Sequence, residues 1–159
     1  MKATKQSARK KTKPLVEVKP SGVHGKGVFA RQRIPKGTRM IEYTGERISW
    51  KKAQDLPPAD PDEPHHTFFF SIDDGRVINA AVGGNDARWI NHSCTPNCKT
   101  IERKGRVYIV ALRNLKKGEE LFYDYCLEPA ERRTKKLERI FGCHCGSADC
   151  RGTMLEPVD

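Results

Sequence analysis

No apolar run in these 159 residues approaches the roughly 20 that a membrane span requires, so no transmembrane helix is expected. The N-terminus is basic but has neither the apolar core nor the small-residue cleavage site of a secretory signal, which points to an intracellular protein. The length leaves room for one compact domain and not two. With 36% hydrophobic and 31% charged residues, that domain should be soluble, with polar loops. Acids are outnumbered, 20 against 30 basic residues, for a net charge of +10. The excess is local. Residues 1–13 contribute six positive charges and no acid, from Lys2, Lys5, Arg9, Lys10, Lys11 and Lys13. The stretch "ERRTKKLER", Glu131 to Arg139, adds a net +3, and removing both segments leaves +1 for the rest of the chain. The working body is therefore close to neutral. One acid-rich stretch, "DLPPADPDE" from Asp55 to Glu63, reads as a solvated loop or as a surface that meets a basic partner.

Continuous helical periodicity is also scarce. "LVEVKPSGVHGKGVFARQRIPKGTRMIEYTGE" alternates short apolar runs with Gly and Pro, the pattern of short strands and tight turns. "ISWKKAQDL" predicts one short helix, and "TFFFSI" with "RVINAAV" predicts a hairpin about a "DDG" turn. "NDARWINHS" predicts a helical turn, "RVYIVALRNL" a buried strand, "KKGEE" a turn and "LFYDY" a strand. "PAERRTKKLERI" is the best amphipathic helix, with Leu137, Ile140 and Phe141 on its apolar side. No internal repeat is present. The expected architecture is mainly β with short helices.

The six cysteines are Cys94, Cys98, Cys126, Cys143, Cys145 and Cys150. An even count allows three disulfides, but "CHCGSADC" places three thiols in a C-x-C-x4-C pattern around a glycine. C-x-C is an awkward spacing for a bridge, whereas three such thiols can converge on a tetrahedral zinc that still lacks one ligand. Cys94, in "NHSC", is the best candidate for that fourth ligand; Cys98 and Cys126 are expected to pack as small apolar side chains. "HGKGVFA" sets Gly25 and Gly27 about Lys26. It lacks the third glycine of a dinucleotide fingerprint, but it allows a backbone to approach a ligand closely.

Taken together and in this order, the G-x-G, "YTGE", "RWINHSC", "GEELFYDY" and the closing C-x-C-x4-C resemble the SET-domain protein lysine methyltransferases that carry a post-SET zinc segment. The resemblance runs from about Leu15 to Leu155. It implies a SET fold of small curved β-sheets around a knot-like crossing, with the "NHSC" segment against the C-terminal strand. The implied organisation is a disordered basic arm over 1–13, a SET domain over 14–127, and a C-terminal helix with the post-SET zinc segment over 128–159. It also implies S-adenosylmethionine as methyl donor and one structural zinc held by Cys94, Cys143, Cys145 and Cys150. Carried onto this chain, the backbone at Lys26, Gly27 and Val28 would cradle the donor's methionine part, and Arg88 would face its carboxylate. Asn91 and His92 would hold its amino and adenine ends, with Phe68 and His144 completing the donor site. Tyr125 corresponds to the catalytic tyrosine, and Tyr43, Phe69 and Tyr123 would wall the lysine channel. The family commonly has Tyr where this chain has Phe68 and Asp where it has Asn79, which puts one donor contact and one structural hydrogen bond in question. Tyr, not Phe, at 123 implies mono- or dimethylation over trimethylation.

These residue types suit the reaction. Methyl transfer from a sulfonium to an amine is an in-line displacement that needs alignment, a dry channel and an unprotonated lysine more than acid–base machinery. A non-catalytic chromatin or nucleic-acid binding module with the same fold is the alternative, and a methyltransferase for a non-histone basic protein is another. The absence of a cysteine-rich stretch ahead of the core suggests a minimal form suited to a bacterial or viral genome. A bacterial enzyme would be cytoplasmic or delivered to a host nucleus, and a eukaryotic or viral one nuclear. The sequence leaves monomer and homodimer equally open.

The basic arm has its own resemblance. "TKQSARK" follows the T-K-Q-T-A-R-K of the histone-three tail in the same register, with Lys5 and Lys10 at the two lysines. Three readings stand: an internal pseudosubstrate or automethylation site, a basic arm making weak contact with nucleic acid or an acidic partner, and coincidence in a Lys/Arg/Ala-rich segment.

Overall fold

The computed structural model describes residues 13–58, 60–62, 67–129 and 132–158. The arm with Lys5 and Lys10 lies outside the described residues. Four small sheets organise the chain. Strands β1 (Val16–Pro20) and β2 (Lys26–Ala30) form an antiparallel hairpin whose turn uses Gly25 at φ +45°. β3 (Arg39–Tyr43) and β4 (Glu46–Ser49) follow, and β4 leads into helix α1 (Trp50–Asp55). Ser49 caps α1 by accepting from the Lys52 N–H at 3.1 Å, and the helix stops at Leu56, ahead of two prolines.

The "DDG" hairpin is present as β5 (Phe69–Ser71) and β6 (Arg76–Asn79), with Gly75 at φ +85°. β6 lies between β4 and β5. A 3-10 turn, Asp86–Trp89, then delivers β7 (Asn91–His92), capped by the Asn85 side chain. β8 (Cys98–Arg103) and β9 (Arg106–Ala111) turn tightly through Lys104 and Gly105, both at positive φ. β9 is the central strand of a sheet ordered β3-β9-β8. β10 (Phe122–Tyr123) returns to pair in parallel with β7, Phe122 opposite Asn91 and Tyr123 opposite His92. This pairing, of segments some 30 residues apart in the chain, brings Tyr125 beside His92. Asn97 secures it, donating to the Glu120 carbonyl and accepting from the Phe122 N–H, each at 2.8 Å.

One main core joins these sheets. Val28, Ile34, Ile78, Ile90, Val107, Ile109, Leu115 and Leu121 are fully buried in it. A smaller cluster of Ile48, Ala53 and Val77 sits beneath α1. Phe69 packs there, while Phe68 and Phe70 pack on the main core, as alternation along a strand requires. Phe69, expected to wall a channel with Tyr43 and Tyr123, is therefore on the opposite face from them, and it is Phe70 that lies 5.3 Å from the Tyr43 ring.

Two further expectations are corrected. The amphipathic helix shrinks to α2 (Lys135–Ile140), capped by Thr134, with no buried residue and Ile140 37% exposed. Its few apolar positions find no large surface to cover. Cys126 is exposed at φ +45° and does not pack, whereas Cys98 is buried as expected. The Asn79 side chain accepts from the Ala81 N–H at 3.1 Å. No helix among the described residues is long and apolar enough to cross a membrane.

Candidate active site and metal centre

A pocket of about 420 Å³ opens between the β1–β2 hairpin, the 3-10 turn and Tyr125. Of the expected donor-site residues, Lys26, Phe68, Arg88 and Asn91 line it, together with Tyr125. His24, Gly25, Asp60, Pro61 and Trp89 line it as well. Trp89 organises one wall: the Lys26 ammonium lies 4.7 Å and the Arg88 guanidinium 4.9 Å from its ring, and Phe68 meets it edge-on at 5.2 Å. Two cations, one carboxylate, an amide and three aromatic rings thus face one cavity. That set suits a ligand with a carboxylate, a cationic group and a flat heterocycle, as S-adenosylmethionine has.

The approach of β2 to this pocket is enforced from behind. The Asn91 side-chain amide donates to the carbonyls of His24 (3.1 Å) and Lys26 (3.0 Å) and to Glu120 Oε1 (3.2 Å). Glu120 also accepts from the Ser21 hydroxyl at 2.6 Å. A Cβ on Gly27 would come within 2.1 Å of that same Glu120 oxygen, so a larger residue there would have to displace the Glu120 carboxylate from Ser21 and Asn91. Gly27 and Val28 do not line the pocket, and the Val28 side chain is fully buried in the core.

Tyr125 stands where the pocket meets a cluster of phenols. Its hydroxyl donates to the Ile90 carbonyl, and its ring lies 4.9 Å from Tyr123 and 5.3 Å from His92. Tyr43 donates from its hydroxyl to the Phe68 carbonyl at 2.8 Å. Burial, reinforced by the neighbouring phenols, pushes the Tyr125 and Tyr43 hydroxyls above the ordinary tyrosine range, and burial alone raises Tyr123. All three stay neutral donors at physiological pH.

His92 departs from its expected role. Its Nδ1 accepts from the Tyr125 N–H at 3.0 Å, so Nε2 carries the ring hydrogen and points it at Cys94 Sγ, 3.4 Å away. Burial lowers its pKa to about 4 against the opposing pull of Asp124, which leaves the ring neutral. The 3.6 Å approach of Asp124 to Nδ1 is accordingly not an ion pair. The imidazole fastens the Tyr125 backbone to a cysteine and leaves only main-chain atoms for a ligand. His144 is exposed and does not line the pocket.

Cys94, Cys143, Cys145 and Cys150 come together, their sulfurs within 4.8 Å of one another. Tetrahedral zinc with bonds of about 2.3 Å separates its sulfurs by about 3.8 Å, and the Cys94 and Cys143 sulfurs are 3.8 Å apart. The donor set fits. The Arg151 N–H reaches Cys94 Sγ and the Gly152 N–H reaches Cys150 Sγ, each at 3.4 Å, as thiolate ligands require. Burial alone would raise the Cys145 thiol, but hydrogen bonds from the Cys94 and Ser147 backbone and from neighbouring thiols bring it down to about 6. Asp124 takes both guanidinium nitrogens of Arg151, at 2.8 and 3.0 Å, and so ties this C-terminal segment to the residue beside Tyr125.

Trp89, Glu120, Asp60 and His24 were not singled out from the sequence. Trp89, His24 and Glu120 lie inside the quoted motifs and Asp60 inside the acid-rich stretch; adjacency to Arg88 and Gly25 is the signal that marks the first two. Ser21 and Glu120 meet across 99 residues, and nothing local announces that contact.

Comparison with known proteins agrees with this geometry. The SET domain family matches residues 25–126. A histone-lysine N-methyltransferase, H3 lysine-4 specific, of Chaetomium globosum is 38% identical over 156 residues, covering 91% of this chain and 14% of that protein. Histone-lysine N-methyltransferase 2B of Homo sapiens is 38% identical over 147 residues, covering 90% and 5%. Histone-lysine N-methyltransferase trr of Drosophila melanogaster is 36% identical over 138 residues, covering 84% and 6%. The chain thus spans a small fraction of each of these relatives.

Proposed function

Because the chain belongs to the SET-domain family, we propose that it is a protein lysine N-methyltransferase that uses S-adenosylmethionine and acts on a histone-type basic tail, inside the cell and in the nucleus where that tail is chromatin's. The observation that carries this is the meeting of Tyr125 with a zwitterion-compatible pocket on one side and a phenol cluster on the other. When bound, S-adenosylmethionine supplies a methyl carbon activated by the positive sulfur. Lys26 and Arg88 would hold its carboxylate, and Asp60 is the pocket's one acid, among the described residues, available to a cationic group. Asn91 braces the hairpin that shapes the pocket. Tyr125, fixed by Ile90 and by His92, aligns the transfer without giving up a proton. Tyr43, Tyr123 and Phe70 surround the incoming lysine, whose ammonium is attracted by the rings and loses its proton to solvent before reaction. Cys94, Cys143, Cys145 and Cys150 would hold one structural zinc, which would keep the C-terminal segment against the residue beside Tyr125.

The Tyr123 hydroxyl crowds additional methyl groups, so the product is mono- or dimethyllysine. A panel of histone-tail and other basic peptides, incubated with labelled donor and read by mass spectrometry, tests both statements. Transfer to a lysine of a histone-three peptide, ending at one or two methyls and proceeding to three in Tyr123→Phe, is expected. Donor binding without transfer to any peptide would favour the non-catalytic module, and transfer only to non-histone peptides would move the substrate assignment.

A further inference from the structure

Two short segments outside the site carry charge of one sign only. Residues 31–39 hold Arg31, Arg33, Lys36 and Arg39, and residues 112–118 hold Arg113, Lys116 and Lys117, with no acid in either. These seven cations leave −6 on the remainder of a body whose net charge is +1. The near-neutrality of that body therefore conceals a segregation of charge.

The fold lays the two segments side by side. They run antiparallel between Ala30, whose N–H donates to the Glu119 carbonyl at 2.9 Å, and Arg39, which pairs with Val110 of β9. Between these ends Ile34 and Leu115 exchange both main-chain hydrogen bonds, at 3.0 and 2.8 Å, and the Gly37 N–H donates to the Ala111 carbonyl at 2.8 Å. The Asn114 side chain accepts from the Lys36 N–H at 2.8 Å. Ile34 and Leu115 are fully buried beneath this ladder, while Arg33, Lys36, Arg39, Arg113, Lys116 and Lys117 are all exposed. Glu17 reaches Arg31 at 3.9 Å and Glu119 holds Arg113. The other five cations make no ion pair among the described residues. They stand on a backbone that is ordered before any partner arrives.

We propose that this strip binds double-stranded DNA through its phosphates. A duplex carries one negative charge per about 1.7 Å of axis, so a strip spanning up to about 20 Å from Arg33 to Arg39 meets several phosphates at once. The occupant follows from what the strip lacks. Single strands need free aromatic faces on which to stack their bases, and the ring at the Arg39 end, Tyr108, is covered by the Arg39 guanidinium at 4.1 Å. A protein partner anchors in apolar pockets, and Leu112 is the one large apolar side chain that the two segments expose. The choice of DNA over duplex RNA rests on the histone-type substrate proposed above, whereas the strip itself rests on charge and geometry. None of its cations lines the donor pocket, which opens at the Lys26 end of β2 while the strip begins beyond the Ala30 end. Bound DNA therefore leaves that pocket clear.

The test measures binding of the full chain to a short fluorescent DNA duplex by anisotropy over a series of salt concentrations. A quadruple variant of the strip, Arg33→Ser with Lys36→Ser, Lys116→Ser and Lys117→Ser, is set against Arg132→Ser with Lys135→Ser, Lys136→Ser and Arg139→Ser. The second removes the same charge from the other basic segment. The strip variant should lose at least about tenfold in affinity and flatten the log–log salt slope by about 3, while the control loses no more than about twofold. Lys116→Ser alone should flatten the slope by about 1, which decides the matter even if the quadruple variant is unstable. Turnover on a free histone-three peptide should be unchanged in every variant, so failure of DNA binding and failure of the methyltransferase reading are read separately. Equal losses in the two quadruple variants would reduce the attraction to net charge and overturn the proposal. Wild-type affinity in the strip variant, or tighter binding of a duplex RNA than of the DNA, would overturn it as well.

Discussion

From Val16 to Tyr123 the chain buries a continuous set of Val, Ile and Leu side chains, eight of which in the main core are fully excluded from solvent. From Arg132 to Val158 only Cys143, Thr153 and Leu155 are buried, and α2 buries nothing. The two regions meet at Tyr125 yet are held by different forces. Hydrophobic burial suffices for the first. The second has four converging sulfurs, the Asp124–Arg151 pair and a short bridge of Leu127 with Leu155. A segment so poor in apolar contacts is expected to depend on a metal held by the four cysteines, and the His92 contacts with Cys94 Sγ and the Tyr125 N–H would carry that dependence to Tyr125.

Metal removal should separate the regions most clearly. A chelator, or Cys145→Ser, is expected to expose 132–158 to protease while the core keeps its own thermal transition. Structural zinc contributes on the order of 10 kcal/mol in isolated zinc-dependent modules, enough to account for the whole segment. Full protection after chelation would break the comparison. Next in size, Leu121→Ala should cost about 2–5 kcal/mol and lower the melting temperature. Leu137→Ala, on α2, should stay below about 1 kcal/mol by the same measurement.

The buried phenols give a smaller, pH-dependent effect. Their folded pKa values lie above the unfolded value of about 10, so the folded state holds its protons longer. The stability they contribute is complete below about pH 10 and is lost as pH rises further. Denaturant melts at a series of alkaline pH values should show that fall, and Tyr123→Phe should flatten it.

Much of this was readable before any coordinates. The "DDG" hairpin, the strand Arg106–Ala111 and the convergence of the C-x-C-x4-C thiols with Cys94 follow local patterns whose chemistry is strict, while the pairing of "NHSC" with "FYDY" came from the SET resemblance. The SET resemblance added roles for Lys26, Arg88, Asn91 and Tyr125, and all four line one pocket. What escaped depends on the direction of single side chains or on distant contacts. Phe69 turned to the wrong sheet face, the His92 ring turned to Cys94, and Cys126 took a positive-φ position in the open. Glu120 gained its part only through Ser21 and Asn91, which lie far from it in the chain.

The most direct test of the account is Tyr125→Phe, with turnover on a histone-three peptide and affinity for S-adenosylhomocysteine measured on the same preparation. In the proposed mechanism the hydroxyl aligns the transfer, while Tyr125 is one of ten described residues lining the pocket. Turnover should therefore fall by about 100-fold or more while the affinity changes by no more than about threefold. Unchanged turnover would contradict the account, because methyl transfer would then be aligned by some group other than Tyr125.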